Sequence, residues 1–458
     1  MLGVDFLQTD VKLTKPQTDG LYLLIIGCLI FVSAALMAER LGIAWMVDFK
    51  AIYFGTRCLI EHRDPYQESE LVKVFVSEGG EELSDPTEGG RTQAEMLYVN
   101  VPPSFLVVAP FAQIKWPLAH LLWMTVSCAA LMLAAFLIWG LAKARPILSG
   151  ALICIWIINC VPLLLVGNAA ALAISFCAIA VWTFARQRFE VLGVILFSLS
   201  LVLKPQDIGL IWFFYLLAGG TYRTRAWQVF AFSMLLCLGA TAWTSQSSPN
   251  WLRELHHNIA ETAVPGGVND PGPSHLRTLT VGTMTDLQSV LSIFWNDPRF
   301  YDTASLVICG ALLLLWAAAF VRSNSGKSQW LSLAFVSCLT LLPVYHRTHD
   351  AKLLILVLPA CDGLAAINAR IGRLAVVVTT GALVLTGDIP IYLLVTLAKK
   401  LPDPSVGLTW KIANVLLARP GPLMLLIASS FFLFALIFTT PGSSLRGSHD
   451  GSAESPEN

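Results

Sequence analysis

The chain has 458 residues, 55% of them apolar and only 13% charged, with a mean hydropathy of +0.67. A soluble domain carries about 25% charged residues, and so small a polar stock cannot cover a water-facing surface. Lys plus Arg and Asp plus Glu each number 30, so there is no net field to recruit a polyanion. A soluble enzyme, a secreted disulfide scaffold and a nucleic-acid binder are excluded. A spanning helix uses about 20 apolar residues, so twelve would take about 240, close to the roughly 250 present. The composition therefore points to an all-α polytopic membrane protein.

In chain order, Lys12 and Lys15 precede an apolar run at 21–41, which is too long for a signal-peptide core and lacks a small-x-small cleavage site. It predicts an uncleaved first span. Further runs follow at 117–142, 147–166, 169–185, 190–203, 207–221, 226–245, 303–321, 329–345, 351–367, 374–394 and 420–440. A shorter run at 101–114, with Pro102, Pro103 and Pro110, reads as a re-entrant or interfacial helix. With the N-terminus inside, five short inner loops each carry two basic residues and no acid: Lys143/Arg145, Arg186/Arg188, Arg223/Arg225, Arg322/Lys327 and Arg370/Arg373. Counting 101–114 as a crossing would put most of these pairs outside, so the positive-inside rule selects twelve spans. Residues 1–440 then form one membrane domain, and 441–458 read as a disordered cytoplasmic tail. Nine of the ten cysteines fall in apolar runs, which implies packing thiols and no disulfide framework.

The outer face of this arrangement takes the segments 42–100, 246–300 and 395–419 and the turns at 167–168, 204–207 and 345–350. Asp48 follows the first span directly, either as the N-cap of a helix or as a carboxylate within reach of a lipid headgroup. The stretch Asp48–Glu61 has apolar residues at helical spacing and predicts an interfacial amphipathic helix that stops at Asp64-Pro65-Tyr66. Eight acids in 67–96 read as a solvated excursion without the regular oxygen pattern of a calcium loop. Lys204, followed by Pro205, Gln206 and Asp207, is either a snorkelling lysine or a partner for a lipid-linked phosphate. His346, Arg347 and His349 form the densest polar cluster between two apolar runs. Such a His pair can hold zinc, but no third ligand is evident; phosphate or sugar recognition suits the mixture, and a solvated loop is the plain alternative. In the long loop, Trp251, Trp295 and Tyr301 are expected to anchor loop ends at the interface.

An Asp-Phe pair after the first span, followed by Tyr53, Arg57 and Asp64-Pro65-Tyr66, resembles the opening of glycosyltransferase family 87. The family's aromatic-Pro-Pro stretch is similar to Tyr98–Phe105, with Val101 inserted before the Pro pair. Its Gly-Gln-x-Asn turn is similar to a contracted Gly167-Asn168, its Leu-Lys-Pro turn to Leu203-Lys204-Pro205-Gln206, and its late Pro/His segment to Pro343–Asp350. These likenesses run in order from about residue 45 to 360.

The resemblance implies a GT-C bundle and a mannosyltransferase-like enzyme in the cell (inner) membrane, using a polyprenyl-phosphate sugar outside. Asp48 would be the general base, and Arg57, Tyr66, Asn168, Lys204, Gln206, His346, Arg347 and His349 would bind donor phosphate or substrate. The expected partners are that lipid-linked donor, a glycolipid or glycan acceptor and membrane lipids. No metal and no separate cofactor is implied, since the sugar donor is itself a substrate. A transporter or flippase is the alternative of another class, and it requires polar residues buried in mid-span.

Overall fold

The computed structural model describes residues 14–80, 97–273, 283–322, 326–400 and 407–439. In chain order its α-helices begin with α1 (Lys15–Arg40), α2 (Val47–Ile60), α3 (Glu68–Ser77), α4 (Pro103–Ala112) and α5 (Trp116–Trp139). Next come α6 (Pro146–Ile158), α7 (Val161–Val166), α8 (Ala170–Arg186), α9 (Glu190–Leu203), α10 (Pro205–Ala218) and α11 (Gly220–Ser247). The long loop contributes α12 (Trp251–Thr262) and α13 (Leu287–Phe294), which precede α14 (Pro298–Arg322) and α15 (Gly326–Leu339). A 3₁₀ helix at Asp350–Val357 leads into α16 (Leu358–Ile367), α17 (Ala369–Leu385), α18 (Asp388–Ala398), α19 (Leu408–Ala418) and α20 (Pro420–Thr439). Several of them start on proline in the first turn, where the missing N–H costs nothing and φ is already helical.

All twelve apolar runs are helical, but they are not twelve full-length spans. Among the described residues six helical stretches are long and apolar enough to cross a membrane, α6 and α7 counting together as Pro146–Val166, and a seventh crossing results if α17 and α18 act as one helix bent by 72°. Helices such as α8 and α9 have 17 and 14 residues, and at about 1.5 Å per residue they fall short of a hydrocarbon layer of about 30 Å. Three runs are also interrupted: 147–166 between α6 and α7, 351–367 by its 3₁₀ beginning, and 374–394 at Thr386-Gly387.

The segment after α1 departs further from expectation. Helix α2 is not a surface helix with one wet face, because Phe49, Ile52, Tyr53, Phe54, Cys58 and Leu59 are all buried. It ends at Ile60 rather than at Asp64, with His62 in the left-handed region at φ 57° closing the turn. Part of the acidic stretch is the helix α3, and residues 81–96 lie outside the described residues, as does the expected tail. Trp251 packs at 6.3 Å from Tyr66, Trp295 stacks on Phe300, and Tyr301 is buried.

Two apolar clusters organise the bundle. The larger joins α1 and the second halves of α5 and α6 to α8, α10, α15, the 3₁₀ helix and α20. The smaller is aromatic and holds Phe49, Tyr53, Tyr66, Tyr98, Phe105 and Trp123, with Ala169, Leu172 and Leu203 at its edge. Asn258 of α12 ties this second cluster together by donating to the carbonyls of Tyr66 and Tyr98, both at 3.0 Å.

Helix α1 is fastened to α6 through two glycines. A Cβ on Gly150 would lie 2.3 Å from the carbonyl oxygen of Gly20, and one on Gly20 would lie 2.3 Å from that of Pro146. Such small residues let backbones approach where lipid supplies no hydrophobic drive. Gly150→Leu is expected to separate the two helices and cost about 1–3 kcal/mol or more. A lowered thermal transition in detergent would report this; an unchanged transition would show that the crossing is not tight.

Candidate functional site

The site lies where four breaks in the helices meet. Helix α7 ends on Gly167 at φ +67°, and a Cβ there would meet Met46 Sδ at 2.6 Å and Phe49 Cβ at 2.7 Å. Glycine is thus required both by its conformation and by the approach of α2. The Met46 amide donates to the Leu165 carbonyl at 2.8 Å. Trp123 Nε1 donates to the Gly167 carbonyl at 3.1 Å, and the Trp123 ring stacks on Phe49 at 4.4 Å. These contacts lock the first turn of α2 against the 167–168 turn.

Asp48 is the second residue of α2 and does not cap it, since the capping position belongs to Met46. Its carboxylate turns instead to Asn168, whose Nδ2 donates to Asp48 Oδ2 at 2.6 Å. The Ala170 amide donates to Asn168 Oδ1 at 2.8 Å. That backbone contact fixes the orientation of the amide, so its NH₂ group is the one that meets the carboxylate. Asp48 is half-buried.

From the α9–α10 turn, Lys204 Nζ reaches Asp350 Oδ1 at 2.6 Å, and both side chains are largely buried. Asp350 also accepts the Arg347 amide at 2.9 Å, bracing the 345–350 turn from within. His346 has no exposed surface; its Nε2 lies 3.2 Å from Asp207 Oδ1 and its Nδ1 2.8 Å from the Val344 carbonyl. Arg347 donates to Tyr345 Oη and, at 2.7 Å, to the Val268 carbonyl of the long loop. The same turn pairs with residues 283–285, through Thr285 N to the His346 carbonyl at 2.9 Å and Thr348 N to the Thr283 carbonyl at 2.8 Å.

The fourth break is the α17–α18 bend. Asp388 accepts from Thr348 Oγ1 at 2.7 Å and lies 3.6 Å from Lys352 Nζ. Lys352 is buried and also donates to the Thr386 carbonyl at 3.4 Å. A charge held at a broken helix suits a bilayer protein, because unpaired backbone groups are tolerated there only where polar partners are at hand.

Electrostatics couple these groups. Burial works against the Lys204 ammonium, but the carboxylates of Asp350, Asp207 and Asp48 outweigh it and hold Lys204 protonated beyond its ordinary range. Burial likewise opposes the Asp350 carboxylate, yet Lys204, His346 and the Arg347 amide bring it well below the usual range. For His346 the desolvation penalty is overcome by Asp207 and then Asp350, so its value is raised. For His349 desolvation prevails over the attraction of Asp388, Asp48 and Asp350, so its value is lowered. His349 Nδ1 is buried without a hydrogen-bond partner. The cluster therefore offers a carboxylate, held cations and one imidazole kept neutral.

Of the residues expected from sequence, Asn168 meets Asp48 directly, and Lys204, Arg347 and His349 lie within its electrostatic reach. His346 joins them through Asp207 and Asp350. Gln206 is exposed, and its backbone carbonyl accepts from Thr340 Oγ1 at 2.8 Å. Arg57 and Tyr66 are not brought to Asp48. Arg57 lies nine residues further along α2, about 13 Å away, where it pairs with Glu78 at 2.6 Å and donates to the Ala112 carbonyl at 3.2 Å. Tyr66 is buried and donates to the Asn100 carbonyl at 3.0 Å. Their contacts are those of scaffold residues, which brace α2 and its loop. Asp207, Asp350 and Asp388 were missing from the expected set. The first two sit inside the motifs that held Lys204 and His346, and Asp388 is flagged by Gly387 and Pro390 around a charge in an apolar run.

Residues 98–344 match glycosyltransferase family 87. The matched stretch contains Asn168, Lys204 and Asp207; it begins after Asp48 and stops just short of the 345–350 turn. No curated protein matches the chain, and no solved structure matches it.

Two measurements probe the cluster. Asp350→Ala leaves Lys204 buried without its counter-ion and should cost about 3–5 kcal/mol. Lys204→Met combined with Asp350→Leu should recover most of that, and a double variant no better than the single would show the pair to be unimportant. His346, being raised, contributes full stability below its ordinary value of 6.5 and loses it as pH rises through the raised value. The thermal transition should accordingly fall as pH is raised above about 6.5, and His346→Asn should flatten that fall. A slope unaffected by the substitution would dissolve the assigned Asp207–His346 pair.

Proposed function

Because the chain belongs to glycosyltransferase family 87 and is a membrane glycosyltransferase, we propose that it moves a hexose, mannose by preference, from a polyprenyl-phosphate donor to an acceptor hydroxyl, with Asp48 as general base. The observation that carries this reading is the convergence of the 167–168, 204–207 and 345–350 turns on Asp48. Asp48 takes the proton of the acceptor hydroxyl as that oxygen forms its bond to the anomeric carbon. The bond from that carbon to the phosphate oxygen breaks, and the polyprenyl phosphate leaves with the electron pair. A single displacement inverts the anomeric centre. Such a base contributes only when it is oriented, and Asn168, fixed by its contact with the Ala170 amide, supplies the orientation.

Charge growing on the leaving phosphate is met by Lys204, Arg347 and His349, with His346 bracing the turn through Asp207, and preorganised donors of this kind usually supply the largest catalytic effect. A GT-C bundle of about twelve crossings is part of the reading, the short helices completing crossings together with their neighbours. The basic pairs support an orientation with Asp48 on the extracytoplasmic side of the inner membrane, because α5 and α8 run from the Asp48 end toward Lys143 and Arg186. Glycolipid or glycan is the acceptor class in this setting. The family match favours the enzyme over the transporter alternative.

Asp48→Asn should reduce transfer from a synthetic polyprenyl-phosphate mannose by about 10²–10⁴-fold while membrane insertion and the thermal transition stay intact. Turnover within tenfold of wild type would remove Asp48 from the chemistry, and a product with retained anomeric configuration would overturn the single displacement.

A further inference from the structure

At the end of the bundle remote from Asp48 there is a cavity of about 380 Å³. Helices α5 and α8 both start beside Asp48, at Trp116 and Ala170, and run to Trp139 and Arg186. At about 1.5 Å per residue they put this cavity roughly 25–35 Å from the catalytic turn, on the order of a bilayer's hydrocarbon thickness. Its walls include Lys143, Arg186 and Arg188, together with Phe136, Trp139 and Trp182, and among the described residues no acid lines it. Three acids lie at this end of the molecule; Asp19, two residues from the lining Gln17, does not line the cavity, and the other two are engaged elsewhere. Glu190 is ion-paired with Arg225, and Asp362 accepts the amides of Ala144 and Arg145, each at 2.7 Å. Arg186 donates to the Gly140 carbonyl at 2.6 Å, a neutral partner, and forms no ion pair among the described residues.

The surroundings indicate where the ligand comes from. Leu133, Phe136, Ile147 and Phe189 are exposed near the mouth, at the end of a helix long and apolar enough to cross a membrane. Tryptophans and cations meeting at the end of a spanning helix are the signature of the headgroup level, and basic pockets between such helices suit anionic headgroups. The volume falls in the range of formed small-molecule sites.

The geometry points to a binding site for the phosphate headgroup of an anionic membrane phospholipid, held by Lys143, Arg186 and Arg188 between Trp139 and Trp182. Its acyl chains lie along the apolar residues outside the mouth. The site is separate from the sugar-transfer chemistry and does not depend on it.

Native mass spectrometry of the full chain in detergent, titrated with phosphatidylglycerol or phosphatidylcholine, tests this. Wild type should prefer phosphatidylglycerol. At about fivefold per neutralised cation, Lys143→Gln with Arg186→Gln and Arg188→Gln should weaken its binding about a hundredfold. The thermal transition reports whether that triple variant folds; if it does not, Lys143→Gln alone should still show about a fivefold loss. Equal binding of the two lipids, or undiminished phosphatidylglycerol binding by the folded variant, would overturn the site. Millimolar inorganic phosphate should fail to displace the lipid, and displacement would overturn the lipid as its occupant.

Discussion

A buried charge must have an opposite charge or a polar cage beside it, and this requirement shapes the Asp48 end of the bundle. Lys204 is held by Asp350, His346 by Asp207, and Lys352 by Asp388. Removing one member of such a pair costs far more than removing both, so each member constrains the position of an entire helix end. The pairs also explain why the site lies at interruptions. A continuous helix satisfies its own backbone and brings few polar groups inward, whereas the 167–168 turn, the 204 junction, the 3₁₀ entry and the α17–α18 bend each bring both backbone and side-chain partners. The aromatic cluster around Phe49, Trp116 and Trp123 then holds α2 so that Asp48 faces the same point.

Much of this was legible in the sequence for a simple reason. In a chain with 13% charged residues, polar groups between apolar runs are conspicuous. Asp48, Asn168, Lys204, His346, Arg347 and His349 stood out on that ground, and the fold gathers them into one polar cluster. Arg57 and Tyr66 were also conspicuous, but polarity alone does not distinguish a substrate contact from a brace such as the Arg57–Glu78 pair. Asp388 escaped notice because hydropathy averages over a window and one carboxylate does not break a run.

The span count shows another limit of pattern reading. Apolar runs located the long helices but not α3, α12, α13 or α19, and they could not tell a full-length crossing from a shorter piece, because length in the structure depends on where a chain breaks. Asn159-Cys160 and Thr386-Gly387 break helices inside runs that stay apolar on average. Helix α2 was misread for the opposite reason. It looked amphipathic, yet its polar positions carry the site and the Arg57 brace while its apolar residues are buried against α4 and α5. Arg419, with no exposed surface, was invisible as well: it donates to the carbonyls of Pro271 and Gly272 and so pins the long loop to the last helices.

The glycine seam between α1 and α6 bears on how the chain is assembled. Gly20 and its partner Gly150 are separated by 130 positions, so α1 is synthesised well before the surface it docks on exists. During that interval it must stay in the bilayer as a solitary helix. Its outer positions are suited to this: Tyr22, Ile25, Ile26, Leu29, Ile30, Leu36 and Met37 face outward even in the finished fold. Insertion and docking are thus separable events for this helix, one driven by its lipophilic flank and the other by the absence of side chains at two positions. A substitution on the flank would act on delivery to the membrane, whereas one in the seam would act only after the sixth helix has emerged.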